Sequence, residues 1–375
     1  MKIFVDRSQM LKAVSMAKNF AEASSGQKVL QSAFLSAGFG RVRLTTTDLT
    51  LWCQVDFDAQ TPKPGTAVVP VRTMGTILKT LPHSHASLHK EGDEVCFAAG
   101  SSEVRLAGAD AEEYPDINPP EGRLAAIPLP AALVNRVAYA VSKDARDTLG
   151  GVFTEVGTAG LKLVATDRHR LARYQAASLP PGSVLDTDLE EPISGIVPVR
   201  LLSEGVRLGS QLDNTATLEL YEKAACIKAN GSVMLWADLI EGQYPDYEGV
   251  VPSAYSGCVT MPRGVLGDAV SRLLALSKGY QSWRIRLAVE DGEMVLKVEH
   301  AVAGLSAVAR LAPCAIEGTV PACGFNVRYL SEALDRLPGT GRVQLKFSDD
   351  KGESPVAIES SECKGISALI MPMRL

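Results

Sequence analysis

Val68-Val-Pro-Val-Arg-Thr-Met-Gly-Thr-Ile-Leu-Lys79 is one of three related stretches in this chain. Ile196-Val-Pro-Val-Arg-Leu-Leu-Ser-Glu-Gly-Val-Arg207 and Gly324-Phe-Asn-Val-Arg-Tyr-Leu-Ser-Glu-Ala-Leu-Asp335 repeat it. In each, a Val-Arg pair (Val71-Arg72, Val199-Arg200, Val327-Arg328) opens a helical apolar pattern, and the pairs stand 128 residues apart. A fixed long period signals repeated structural units, here three similar domains in 375 residues. The expected boundaries are 1–122, 123–254 and 255–375. They fall in turn-forming segments at Pro119-Pro-Glu-Gly-Arg123 and Pro252-Ser-Ala-Tyr-Ser-Gly257.

Working outward, each copy begins with a short strand and a helix. Ile3-Phe-Val-Asp-Arg7 leads into Ser8–Lys18, Ala126-Ile-Pro-Leu129 into Pro130–Val141, and Val259-Thr-Met261 into Pro262–Leu274. Apolar pairs four residues apart, such as Leu133/Val134 and Val137/Ala138, mark one buried face. Pro130 and Pro262 are placed in the first helical turn, where proline is tolerated. Alternating strands follow at Val42–Asp48, Leu161–Asp167 and, more weakly, Met294–His300. Each copy then closes near a proline, at Tyr114-Pro-Asp, Tyr244-Pro-Asp and Met371-Pro-Met. Two helices and many short strands per copy predict an α+β fold, each unit packing its helices against antiparallel sheet.

The chain contains 46% hydrophobic residues, enough for three cores, yet no apolar run of the roughly 18–20 residues that a membrane span needs. The charged start Met1-Lys-Ile-Phe-Val-Asp-Arg7 lacks a signal-peptide pattern, so a cytoplasmic location is expected. Seven scattered cysteines without Cys-x-x-Cys read as reduced structural thiols. The net charge of −5 argues against tight nucleic-acid binding by the whole surface. Placement differs from the sum: Arg72 and Lys79, Arg200 and Arg207, and Arg328 and Arg336 recur on the second helices. Lys12, Lys18, Arg136, Lys143, Arg146, Arg263, Arg272 and Lys278 lie on or near the first. Such faces offer salt-sensitive, sequence-blind attraction to phosphate, diluted by Glu204, Glu332 and Asp335. Each stripe alone is also what a solvated helix face looks like.

Three ordered motifs are more specific. Ala165-Thr-Asp-Arg-His-Arg-Leu-Ala172, Leu239-Ile-Glu-Gly-Gln-Tyr-Pro-Asp-Tyr247 and the terminal Met371-Pro-Met-Arg-Leu375 make the chain resemble the bacterial DNA polymerase III beta subunits, the sliding clamps, from end to end. The resemblance implies a head-to-tail homodimer that closes six clamp domains into a ring around double-stranded DNA. It implies no cofactor, no metal and no catalysis, and it names a replicative DNA polymerase, a clamp loader and other proteins with clamp-binding motifs as partners. Their motifs would enter a pocket between the second and third domains. The matching positions are Leu149, Thr166, Arg168, His169, Arg170, Leu171, Pro245, Gly249, Val250, Tyr329, Met371, Pro372, Met373, Arg374 and Leu375. Apolar side chains with adaptable methionines suit short linear motifs. The resemblance places Arg72, Lys143, Arg146 and Arg200 toward DNA, and joins Val104 and Leu106 of one subunit to Ala275 and Leu276 of the next.

The chain also departs from that pattern. The family usually has glycine at Arg168 and often arginine at Gly249, both beside the pocket. Ala301–Ala307 is apolar where the family tends to be acidic, and Ser24–Gln31 lacks the usual Thr-Leu-Pro-Ile-Leu. These changes suggest a divergent clamp, and Arg168 and Gly249 alone motivate the reading of a second copy with altered pocket preference, insensitive to a compound that blocks the ordinary clamp. The sequence admits two rival readings. An enzyme would have to use His83, His85 and His89 as metal ligands, or Asp167 and His169 in acid–base work, without an evident ligand set or nucleophile. A clamp-fold scaffold would keep the pocket and lose DNA encirclement.

Overall fold

The computed structural model describes every residue except 25, 145–146, 187–190, 213–215, 279–282, 301–303, 338, 340, 364 and 375, together with the side chain of His300. Six α-helices occur among the described residues: α1 (Arg7–Ala17), α2 (Val71–Thr80), α3 (Ala131–Val137), α4 (Val199–Gln211), α5 (Arg263–Ser277) and α6 (Val327–Arg336). The 128-residue period is obeyed to the residue, since Val71, Val199 and Val327 each begin a helix. All three are entered from a strand, Gly65–Pro70, Ile193–Pro198 and Cys323–Asn326.

Pro262 is the residue that caps α5, with φ −60° and ψ 130°, and Pro130 immediately precedes α3. The expectation of first-turn prolines is thus off by one position. The fixed φ of proline suits the extended entry residue equally well. The leading helices of the first two copies are shorter than their apolar pattern, because each tightens into a 3-10 turn, at Lys18–Phe20 and Ala138–Ala140.

The chain divides into two compact units. One comprises residues 1–131, 180–189 and 200–239, the other 132–179, 190–199 and 240–375. The middle repeat therefore contributes to both. Each unit contains a nine-stranded antiparallel sheet assembled from two repeats. In the first unit, Trp52–Asp58 of the first copy pairs with Val233–Asp238 of the second, setting Trp52 opposite Trp236. In the second unit, Arg170–Ala176 of the second copy pairs with Ile366–Ile370 of the third, setting Leu171 opposite Leu369. A smaller sheet completes each unit. Five strands end at the edge strand Ser102–Ala107 in the first, and four end at Leu305–Leu311 in the second.

Helices cover the sheets through closely matched surfaces. In the first unit Met10, Val14, Met74 and Leu78 of α1 and α2 are fully buried. In the second, Leu266, Val270, Leu330 and Leu334 enter a core with Phe325, Leu345 and Phe347. Corresponding arginines tie the helix pairs together. Arg7 Nη1 donates to the Leu78 carbonyl at the end of α2 (2.8 Å), and Arg263 Nε donates to the Leu334 carbonyl in the last turn of α6 (2.9 Å). The last turn of a helix leaves carbonyls unpaired, so a guanidinium there satisfies them and complements the dipole.

α4 lies so near its sheet that a Cβ on Gly205 would stand 2.3 Å from Ile227 Cδ1 and 2.9 Å from its Cγ2. Gly205→Ala gains helix propensity, but the clash dominates in a packed interior. The variant is expected to lose about 1–3 kcal/mol of stability in denaturant unfolding. Unchanged or raised stability would show that the helix can move away.

Candidate functional site

The Thr-Asp motifs form the same turn twice. In the first copy, Thr47 Oγ1 donates to the Leu51 carbonyl (3.1 Å) and accepts from Leu49 N (2.9 Å), while Asp48 Oδ1 accepts from Thr50 N and Leu51 N. In the second, Thr166 Oγ1 donates to the Arg170 carbonyl (2.6 Å) and accepts from Arg168 N (3.1 Å), while Asp167 Oδ1 accepts from His169 N and Arg170 N. Both turns force one residue into the left-handed region, Leu49 at φ 72° and Arg168 at φ 72°. A side chain there costs on the order of 1–2 kcal/mol, which glycine avoids. That is the physical reason glycine suits the Arg168 position.

Corresponding tyrosines support these strands. Tyr114 donates to the Thr45 carbonyl (3.1 Å) and Tyr244 to the Val164 carbonyl (3.4 Å). Tyr244 also stacks on Phe153 (5.4 Å), which places Pro245 and the residues after it over the sheet. Lys162 Nζ holds that segment from below, bridging Glu155 (3.1 Å) and Glu248 (3.3 Å).

Between these parts of the second unit lies a cavity of about 310 Å³. Eight of the residues anticipated from the sequence line it: Leu149, Thr166, Arg168, Arg170, Leu171, Pro245, Val250 and Met371. Asp246, Tyr247 and Leu369 line it too and were not anticipated. Leu369 was legible in principle, since the alternation that buries Leu171 requires a cross-strand partner of the same kind. The floor is a small apolar cluster of Leu149, Leu171, Tyr247 and Leu369. Val250 and Met371 remain partly exposed at 41% and 36%. Most of this surface is apolar and open, which suits hydrophobic side chains of a ligand.

The remaining anticipated residues lie off the lining. His169 stacks on Tyr329 (6.4 Å). Gly249 N donates to Asp246 Oδ1 (3.4 Å), and a Cβ there would meet Asp246 Oδ2 at an ordinary 3.6 Å, so the position admits a side chain. Pro372 is partly buried, Met373 pairs its backbone with Gly324, and the Arg374 carbonyl accepts from Arg284 Nη1 (3.1 Å). Leu375 and Arg146 lie outside the described residues, as do residues 301–303 of the divergent apolar stretch and Ser25.

Arg170 holds the cavity wall. Its side chain, 8% exposed, lies between the rings of Tyr329 (4.5 Å) and Tyr139 (5.3 Å). Its Nε donates to Asp167 (2.9 Å), its Nη2 to the Tyr139 carbonyl (2.6 Å), and its Nη1 to Glu332 on α6. Glu332 also accepts from Arg328 Nε (2.9 Å). Arg168 differs: its side chain is 71% exposed and its Nη2 pairs with Asp147 (2.8 Å) beside Leu149.

Basic positions expected to face DNA divide into two groups. Arg72, Lys79 and Lys143 are exposed. Arg200 is exposed but pairs with Asp48 and Thr50 Oγ1 of the first copy's turn. Arg207 turns to Glu204 (2.7 Å), and Arg263 is engaged by the Leu334 carbonyl in the last turn of α6 and the Gly339 carbonyl beyond it. Of the interface residues, Val104 and Leu106 lie on the edge strand Ser102–Ala107, and Ala275 and Leu276 are exposed near the end of α5. His83 leans over Gly100, while His85 and His89 lie on strand His85–Glu91. Among the described residues, no three His, Cys, Asp or Glu side chains are grouped to hold a metal.

The family descriptions for the DNA polymerase III beta subunit match the chain in order. The N-terminal domain matches residues 1–118, the central domain 129–246 and the C-terminal domain 248–374. The chain belongs to the DNA polymerase III beta subunit family, the beta sliding clamps. The function carried by that membership is that of a DNA replication processivity factor. The beta sliding clamp of Caulobacter vibrioides is 28% identical over the full length of both chains, and that of Pseudomonas aeruginosa likewise 28%. The solved Pseudomonas aeruginosa subunit is 26% identical with a TM-score of 0.89, covering all of both chains. A Bartonella birtlesii sliding clamp solved bound to griselimycin is 26% identical with a TM-score of 0.87, again covering both chains completely.

The buried charges generate an acid dependence. Burial raises the Glu332 pKa, but hydrogen bonds and charge from Arg170 and Arg328 outweigh it and hold the carboxyl below its ordinary value of 4.5. A depressed folded-state pKa gives stability that is present above the unfolded value and lost as pH falls through the folded one. Glu332→Gln is expected to lower the Tm at neutral pH, with the gap to the unmodified chain closing as pH falls below the ordinary carboxyl value of 4.5. A gap independent of pH would contradict the charge role.

Proposed function

We propose that two copies of the chain close head to tail into a six-domain ring around duplex DNA, acting in the cytoplasm and without catalysis of their own. The 310 Å³ cavity would receive short linear motifs of the replicative polymerase, the clamp loader and other clamp-binding proteins in competition. The observation that carries this reading is the convergence of the Thr166–Leu171 turn, the Pro245–Val250 segment and Met371 on one apolar cavity. These are the three motifs that make the chain resemble a clamp.

Two edge strands support closure. Ser102–Ala107 and Leu305–Leu311 each have a single neighbour within their own sheets. Unpaired edges seek partners, and pairing them across subunits would extend both sheets. Val104 at 36% and Val308 at 53% exposure would then be covered. Exposed Arg72 and Lys143 would supply non-specific attraction, while enclosure supplies retention, so a net charge of −5 is compatible with a DNA role.

Placing charge in the edge tests closure. Val104→Asp with Leu106→Asp is expected to convert a dimer to a monomer at micromolar concentration in sedimentation. A monomeric unmodified chain would favour the scaffold reading. For the cavity, Leu171→Ala with Met371→Ala should weaken binding of a clamp-loader motif peptide roughly tenfold or more, as loss of two apolar contacts implies. Undiminished affinity would place the motif elsewhere.

A further inference from the structure

A second cavity, of about 450 Å³, lies within the first unit. It is built from the same parts as the first, one repeat earlier. The turn residue Leu49 stands where Arg168 does in the next copy, and Thr50 joins the lining although its counterpart His169 lies off the first cavity. The segment after Tyr114-Pro, including Asp116, stands where the Tyr244-Pro segment does. The cross-strand pair is again at the centre, but Trp52–Trp236 replaces Leu171–Leu369. The indoles are stacked, with centroids 5.5 Å apart and planes 9° from parallel. Trp236 is buried, while Trp52 keeps part of its surface open. With Tyr221, Ala224 and Cys226 they form a small cluster of their own.

The rim differs in charge as well. Asp116, Glu121, Glu222 and Asp238 line the cavity against one cation, Lys223. Among the described residues none of these four carboxylates has an ion-pair partner. Carboxylates repel phosphate, so neither a nucleic-acid backbone nor a phosphorylated peptide suits this place. An indole face attracts a guanidinium or ammonium through its quadrupole, and Arg also stacks on the ring. The volume accommodates several side chains.

We propose that this cavity is a second peptide-binding site, selective for a linear segment that carries arginine or lysine beside an apolar residue. The cationic group would lie over Trp52 within reach of the rim carboxylates, and the apolar residue would pack beside it against the same indole pair. One chain would then present two related cavities with different preferences, the aliphatic one for apolar motifs and the aromatic, acidic one for basic motifs.

The test uses the full chain with Trp283→Phe, so that tryptophan emission comes only from the stacked pair, because the chain has three tryptophans. The probes are acetyl-Leu-Arg-Leu-amide and acetyl-Leu-Gln-Leu-amide at millimolar concentration. The arginine peptide is expected to perturb the emission saturably and to bind about two- to fivefold tighter than the glutamine peptide. Asp116→Asn with Asp238→Asn, both exposed, should weaken the arginine peptide roughly two- to threefold and leave the glutamine peptide unchanged. Trp52→Leu, followed by calorimetry, should weaken both. Met371→Ala in the other cavity should weaken neither. No saturable binding, equal binding of the two peptides, indifference to the carboxylate substitutions, or loss on Met371→Ala would each overturn the proposal.

Discussion

The structure depends on one constraint: no repeat completes its own main sheet. An unpaired strand edge leaves backbone donors and acceptors open, and each repeat satisfies them with the next one. Trp52–Asp58 takes Val233–Asp238, and Arg170–Ala176 takes Ile366–Ile370. The middle repeat is shared between two units for this reason. Its Ala216–Asp238 strands serve the first copy, and its Gly151–Ala176 strands serve the third. The Thr-Asp turns stand at the entry to those joining strands. Whatever packs over a join meets the turn, the cross-strand pair and the segment after Tyr-Pro. A cavity at each join follows from the topology, and its chemistry from the few residues that differ between copies.

Arg170 shows how much one buried charge organises. A guanidinium held by Asp167, Glu332 and a carbonyl between two tyrosine rings is satisfied on every side. Removing one acid leaves the other still paired with the guanidinium, so the loss is smaller than for a buried charge stripped of its only partner. The same network joins the cavity wall to Arg328 on α6. In the first unit the corresponding pairing is simpler, Arg200 to Asp48 and Thr50. A basic residue conspicuous in the sequence can therefore be spent on holding a turn.

Much of this was legible before the structure. The Val-Arg period located α2, α4 and α6 to the residue, because apolar spacing and strand-to-helix entry recur together. The α+β class and the antiparallel sheets followed from pattern, and most of the cavity lining from the family resemblance that the motifs carry. Tertiary placement was not legible. Arg207 and Arg263 have the spacing of an exposed stripe, yet a neighbouring acid and a helix-end carbonyl capture them. Leu369 carries no motif of its own and joins the cavity through cross-strand register, and Tyr247, though it ends the Leu239–Tyr247 motif, reaches the cavity through a tyrosine-supported turn that the motif does not show. The left-handed Arg168 was visible as an unusual residue, but the backbone angle that makes it unusual was not.

Retention on circular DNA tests the account most directly. The protein would be loaded onto nicked circles with its host's clamp loader and ATP, and half of the sample linearised. A topological ring predicts retention on circles and loss from linear ends. Equal retention on both would contradict enclosure and make the basic helix faces the means of holding DNA.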